Sequence, residues 1–231
     1  MLPTSLPPLI LAAGIQKRYK RGSEEITPLV DIDLRVSAGE FIVISGPSGS
    51  GKSTLLHLLG GIDRPTQGAL KVNGVELAAA SESALTRFRR DNIGFIFQFY
   101  NLLPSLDALD NTILPLLAKG IGWKQARRRG AELLEQVGLA QRIHHTPAQL
   151  SGGEQQRVAI ARAMAPEPCL ILADEPTGDL DSAAAHSIIT LMADLNRRLG
   201  VTFIVATHNL SLLEVASRAF ELADGRLRAR S

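Results

Sequence analysis

Three runs of consecutive apolar residues punctuate the chain: Phe41–Ile44, Leu170–Ala173 and Phe203–Ala206. Unbroken runs of this length read as strands buried on both faces, as in a parallel sheet. Each is followed by a small or polar cluster and then a helical pattern, the order that builds an α/β fold. Ahead of the first run, Leu9–Gly14 and Leu29–Val36 read as strands of a side sheet. Asn73-Gly74, flanked by Val72 and Val75, predicts a tight hairpin.

The middle of the chain changes character. From Leu106 to Gln149 there is little strand pattern. Across Ala126–Val137, Leu133, Leu134 and Val137 share one side while Arg127, Arg128 and Glu135 lie among the rest, which predicts an amphipathic helix. Arg127-Arg128-Arg129 reads as a solvated helix face rather than a site for an anionic partner. These patterns predict an α/β core over residues 9–98 and 165–228, interrupted by a mostly helical subdomain over residues 99–164. Phe99, Tyr100, Leu102 and Leu103 form an apolar stretch in what reads as an exposed linker. Such a stretch marks either an interaction surface or packing against the helical subdomain.

At 231 residues the chain is long enough for one α/β domain with an insertion. A formal charge of +2 does not point to nucleic acid. The single cysteine, Cys169, excludes an internal disulfide and a cysteine-rich metal site, and it reads as a buried core thiol. The longest apolar stretches fall well short of the roughly 20 residues that span a bilayer. The stretch Met1–Ile10 carries three prolines and no basic residue, so it does not read as a secretory leader. A cytoplasmic protein is expected, with any membrane role exerted through a partner.

Gly46-Pro47-Ser48-Gly49-Ser50-Gly51-Lys52-Ser53 fits the phosphate-binding loop pattern at every fixed position, between an apolar strand and the apolar helix of Leu55, Leu56, Leu58 and Leu59. Glycines let backbone amides turn inward around phosphate oxygens. A helix starting near Lys52 points its amides and positive end at the same oxygens. Lys52 is expected to reach the β- and γ-phosphates, Ser53 to hold Mg²⁺, and Thr54 to complete the nucleotide contact. Asp174-Glu175 closes the second apolar run, where ligands bind in open α/β sheets. Asp174 suits Mg²⁺, and Glu175 suits the attacking water. An acidic strand end beside a helix N-terminus is the alternative account.

Leu150-Ser151-Gly152-Gly153-Glu154-Gln155-Gln156-Arg157 carries two readings. Ser151 and Glu154 form a capping box for the helix Val158–Met164. That does not require Gly152 and Gly153, whose bare amides at a helix N-terminus make a second anion site. Here the chain resembles the ABC ATPase family, whose signature this octet is. The resemblance runs from about Leu9 to Leu227 and extends to the branch serving lipoprotein release and macrolide export. His57-Leu58-Leu59-Gly60-Gly61-Ile62-Asp63-Arg64-Pro65, Gly94–Pro104 and Leu172–Gly178 carry it. Cell-division ATPases are close relatives with the same chemistry. Glu154-Gln155-Gln156 mixes two common variants of the signature, and the sequence ends just after the core, with no regulatory domain of the kind found in sugar or methionine importers.

The resemblance implies a P-loop NTPase core with a mainly parallel sheet, an N-terminal antiparallel β subdomain and an inserted helical subdomain. It implies ATP and Mg²⁺ as cofactors. Gln98 then matches the Q-loop residue at the metal or water, and His208 the switch histidine near the γ-phosphate. Asp179 and Asp181 match the loop crossing a dimer interface, and Tyr19 the aromatic that stacks on adenine. Ser151-Gly152-Gly153 would meet ATP held by a second copy. The implied assembly is a homodimer on the cytoplasmic face of the inner membrane, driving a separate permease with a large extracytoplasmic domain. Long coiled coils, zinc sites or a second cassette, the marks of the soluble repair and translation members, are not seen in the sequence.

Overall fold

The computed structural model describes residues 7–22 and 24–230. The stretch through Leu6 and the terminal Ser231 lie outside the described residues. The chain builds two sheets with helices on the larger one.

The first sheet is antiparallel. It holds β1 (Ile10–Arg21), β2 (Glu24–Val36), β4 (Gln67–Val72) and β5 (Val75–Glu76) in the order β2-β1-β4-β5. The turn between β4 and β5 has Asn73 at φ 45° and Gly74 at φ 79°. Two positive φ values in succession belong to the primed turn that matches strand twist. Strands β1 and β2 run well beyond the predicted Leu9–Gly14 and Leu29–Val36 segments. Their pairing shifts register at Ala12/Ile15, Ile15/Lys17 and Lys17/Tyr19. Each shift breaks the two-residue alternation, so the outer half of β1 carries no clean strand pattern.

The second sheet holds β3 (Phe41–Ser45), β6 (Ile93–Ile96), β7 (Leu170–Asp174), β8 (Thr202–Thr207), β9 (Arg218–Ala223) and β10 (Arg226–Arg230). The order is β10-β9-β3-β8-β7-β6, parallel except for β10 against β9. The three apolar runs are its central strands, and their side chains alternate between two cores. Phe41, Val43, Ile171, Ala173, Phe203 and Val205 face helices α3 (Ala108–Ala118), α4 (Trp123–Gln136), α5 (Gly152–Met164) and α6 (Ser182–Leu199). Ile42, Ile44, Leu170, Leu172, Ile204 and Ala206 face α1 (Lys52–Leu59), α2 (Glu82–Asn92) and the antiparallel sheet. Both faces are covered, so both kinds of position must be apolar. Among the described residues no helix is long and apolar enough to cross a membrane.

Helix α4 starts a turn earlier than its periodicity indicates, and Ala126, Leu133 and Leu134 are buried. Its three arginines divide, with Arg127 and Arg129 half-buried in ion pairs and Arg128 in solvent. Arg127 meets Asp110 at 2.6 Å and covers the Trp123 ring, Arg129 pairs with Glu132 and Glu167, and Arg128 is 77% exposed. Cys169 is half-buried rather than fully so; burial pushes its thiol pKa up. The apolar stretch after Gln98 divides. Phe99 and Leu103 are 73% and 48% exposed, whereas Leu102 packs on the helical core and Tyr100 is partly covered.

Leu134→Ala should cost about 2–5 kcal/mol by opening a cavity under α4. Arg128→Ala on the opposite face should stay within about 0.5 kcal/mol. Urea unfolding of the two variants checks the difference.

Candidate active site

Sheet order decides which side chains meet. Strand β8 lies between β3 and β7, with Ser45 opposite Thr207 and Asp174 opposite Ala206. The loop Gly46–Gly51, His208 and the pair Asp174-Glu175 therefore leave neighbouring strand ends at one level. Gln98 follows the adjoining edge strand, β6. A cleft of about 620 Å³ opens there. It is lined by Ser48, Gly49, Gly51, Lys52, Ser53 and Thr54 from the loop and α1, by Gln98, Asp174, Glu175 and His208 opposite, and by Pro28.

The loop is built to leave donors free. Helix α1 has Gly51 at its N-cap with no side chain capping its first turn. Helices α2, α3, α5 and α6 are each capped, by Ser81, Asp107, Ser151 and Asp181. The amides of α1 thus lack the acceptor that these four helices carry, which suits an anion. Gly51 sits at φ 102°, and a Cβ there would lie 2.6 Å from the Pro28 carbonyl oxygen, so only glycine fits. Ser50 Oγ is buried with no hydrogen-bond partner.

Lys52 is 8% exposed, and its Nζ donates to the carbonyls of Gly46 and Pro47 at 2.8 and 3.0 Å. It also stands 3.8 Å from Glu175 Oε1. The other carboxylate oxygen of Glu175 lies 2.9 Å from His208 Nδ1 and accepts from the His208 amide at 3.1 Å. Glu175 is held at φ 46°, unusual for a residue with a side chain. Its amide donates to the Ala206 carbonyl at 2.8 Å, which anchors that conformation. The loop lysine, the carboxylate and the histidine are in contact within one cleft.

A family model described as ABC transporter matches residues 29–178. The lipoprotein-releasing system ATP-binding protein LolD of Anaeromyxobacter dehalogenans (strain 2CP-C) is 48% identical, over 95% of this chain and 92% of that protein. An uncharacterised ABC transporter ATP-binding protein of Thermotoga maritima (strain ATCC 43589 / DSM 3109 / JCM 10099 / NBRC 100826 / MSB8) is 47% identical, over 92% and 91%. A solved dimeric, post-hydrolysis structure of the ATP-binding cassette MJ0796, bound to ADP and Pi, superposes with a TM-score of 0.88 at 42% identity, covering 96% of this chain and 98% of that one.

The chain belongs to the ABC transporter family. It is an ATP-binding, ATP-hydrolysing subunit.

Ser151, Gly152, Gly153, Glu154, Asp179, Asp181 and Tyr19 are not among the residues that line the cleft. Ser151 and Glu154 form the expected capping box at α5: Ser151 Oγ accepts from the Glu154 amide at 3.3 Å, and Glu154 Oε2 accepts from the Ser151 amide at 2.8 Å. The Ser151 amide holds the Glu154 carboxyl below its ordinary range. Gly152 has a local reason as well, since a Cβ there would come 3.0 Å from the Tyr100 hydroxyl. Gly153 meets only ordinary contact, with Ala184. Asp179 accepts from Gln98 Nε2 at 3.4 Å, while Asp181 caps α6 through the Ala184 amide at 2.8 Å. Tyr19 stands beside the cleft, 39% exposed, with its hydroxyl on Asp63.

Three contributors have roles that no motif in the sequence assigns. Gln156, fully buried, donates to the Pro176 carbonyl at 2.7 Å, and Asn209 donates to Thr177 Oγ1 at 3.2 Å. Together they fix the loop after Glu175. Asp63 gathers Tyr19 and Lys17. All three act over long separations, so neighbouring residues do not reveal their partners, although Gln156 lies inside the octet Leu150–Arg157 and Asp63 inside a stretch carrying the branch resemblance.

Ser151→Ala should lower stability by about 0.5–2 kcal/mol, because the Glu154 amide loses its acceptor. Thermal unfolding measures this directly.

Proposed function

We propose that this subunit binds MgATP in the cleft, closes on a second copy around two nucleotides, and uses that closure to drive a membrane-spanning partner. The observation that carries the reading is the Glu175 carboxylate, held between Lys52 and His208 over an uncapped helix N-terminus. The triphosphate chain suits the amides of Gly49–Ser53, with Lys52 exchanging its carbonyl contacts for phosphate oxygens. Ser53, Asp174 and the amide oxygen of Gln98 form a hard-oxygen donor set that fits Mg²⁺. Among the described residues no three His, Cys, Asp or Glu side chains group as a metal site, so the nucleotide and water would complete the coordination. Held by these residues, Mg²⁺ would supply positive charge against the negative charge of the phosphates.

Glu175 then orients and deprotonates the attacking water, and His208 holds that carboxylate in place while facing the γ-phosphate. None of Ser151, Gly152 and Gly153 lines the cleft of its own chain, which supports their meeting the nucleotide of the partner copy. The helical segment 99–164 carries that signature, and residues 9–98 and 165–228 carry the cleft. Asp179 and Asp181 lie at the edge that the second copy would cover.

Similarity to LolD proteins at 44–48% identity supports lipoprotein release, or export of the related macrolide type, as the work performed. The partner would be a permease with a large extracytoplasmic domain, and the subunit would sit on the cytoplasmic face of the membrane. Phe99 and Leu103, exposed in the segment after Gln98, would touch it. Tyr100 and Leu102 would not, because they pack inward.

Glu175→Gln should slow hydrolysis by about 10²- to 10⁴-fold while MgATP still binds. The variant should elute as a dimer with MgATP and as a monomer with MgADP. Adding Ser151→Arg should abolish the dimer. Size-exclusion chromatography with light scattering reads both, and a double variant that dimerises as well as Glu175→Gln alone overturns the trans arrangement. Phe99→Ser with Leu103→Ser should release the permease in a pull-down while the thermal midpoint of the isolated subunit holds.

A further inference from the structure

Around Tyr19, whose expected role is to stack on the base, the structure holds an assembly built on Asp63, just beyond the C-terminal end of α1. Asp63 Oδ2 accepts from the Tyr19 hydroxyl at 2.7 Å. Asp63 Oδ1 accepts from Lys17 Nζ at 2.6 Å and from the Arg64 amide at 2.7 Å. Lys17 Nζ also donates to the Arg64 carbonyl at 2.8 Å, and it lies 4.8 Å from the centroid of the Tyr19 ring. Burial pushes the Asp63 carboxyl up, but the hydrogen bonds from Lys17, Tyr19 and Arg64 outweigh it and leave the group below its ordinary value. Burial first, and then Asp63, raise the Tyr19 hydroxyl to about 12, so it remains a donor at neutral pH.

This arrangement solves a problem set by β1. The strand shifts register between Lys17 and Tyr19, so ladder pairing alone does not hold the ring. A tyrosine at an irregular, exposed strand position would lose rotamer freedom on binding a base. Asp63 removes that freedom beforehand. Its own backbone is tied to α1, because the amides of Ile62 and Asp63 both donate to the His57 carbonyl, at 2.9 and 3.2 Å. The other end of α1 begins at Lys52 and Ser53. One rigid helix therefore sets the distance between the Tyr19 ring and the phosphate loop. The Lys17 ammonium lies over the ring, so the flat surface available to a base is restricted to the side it leaves clear.

We propose that Asp63, with Lys17, is a positioning residue that pre-orders the Tyr19 ring for the nucleotide base and fixes the spacing between base and triphosphate. The proposal rests on Tyr19 being the base-stacking residue.

Asp63→Ala, Tyr19→Phe, the double variant and Tyr19→Ala are compared by calorimetric titration with MgATP and with inorganic tripolyphosphate, which has no base. Asp63→Ala and Tyr19→Phe should each weaken MgATP binding by about 3- to 10-fold, the effect of one hydrogen bond. The double variant should be no weaker than the worse single one, since both remove the same link. Tripolyphosphate binding should stay within about twofold of the parent in every variant. Tyr19→Ala should weaken MgATP more than Tyr19→Phe. Parent-like MgATP affinity in Asp63→Ala, beside a loss in Tyr19→Ala, overturns the positioning role and leaves stacking intact. Equal losses for MgATP and tripolyphosphate overturn it too, because they mean the loop only supports the fold. Parent-like affinity in Tyr19→Ala sinks the stacking assignment itself. If Asp63→Ala does not fold, Tyr19→Phe carries the test, and parent-like binding there overturns the proposal.

Discussion

Burial of both faces of the three central strands is the constraint from which the site follows. Phe41, Val43, Phe203 and Val205 fill one core, and Ile42, Ile44, Ile204 and Ala206 fill the other. A slip of one residue between neighbouring strands would exchange the Phe41 and Phe203 side chains with Ile42 and Ile204 between two close-packed cores, so packing shape specifies the register. Fixed register places Ser45, Thr207 and Asp174 at one level. The groups that follow these positions must then converge. Lys52, His208 and Glu175 lie far apart along the chain and meet because the strands preceding them cannot slide.

Two helices turn that convergence into a working geometry. Helix α1 presents uncapped amides to the cleft at its start, and the loop at its other end carries Asp63, which holds the Tyr19 hydroxyl. Helix α5 begins at the signature and fastens two loops along its length. Gln156 holds the Pro176 carbonyl beyond Glu175. Arg162 donates to the carbonyls of Tyr100 and Asn101, both at positive φ, just beyond Gln98. The strained linker and the loop carrying the carboxylate are thereby bonded to the same element. Helix α5 is thus the element common to the loop after Glu175 and the segment that exposes Phe99 and Leu103.

Much of this was legible in the sequence because the signals are local. An apolar run of four residues needs no partner to declare burial on both faces. The loop Gly46–Ser53 declares an anion site through glycine spacing and the helix that follows. Asn73-Gly74 fixes a turn by its own backbone preferences, and Ser151 with Glu154 writes a helix start within four residues. In each case the physics acts over one turn or one strand.

The rest was decided by tertiary structure. Bulges hid the outer half of β1, because each extra residue inverts the alternation that marks a strand. Among Phe99, Tyr100, Leu102 and Leu103 the residue types look equivalent, and only contact with α5 and the helical core separates the inward pair from the exposed pair. Asp63 and Gln156 stand in recognisable stretches, but only the fold shows that their partners are Tyr19 and the Pro176 carbonyl. Local periodicity and motif spacing marked the three central strands, the β4–β5 turn and the phosphate-loop pattern, and the resemblance of the octet Leu150–Arg157 supplied the class. Which distant polar groups meet, and which apolar ones stay uncovered, was set by long-range packing, where partners are chosen by three-dimensional proximity and not by neighbourhood in the chain.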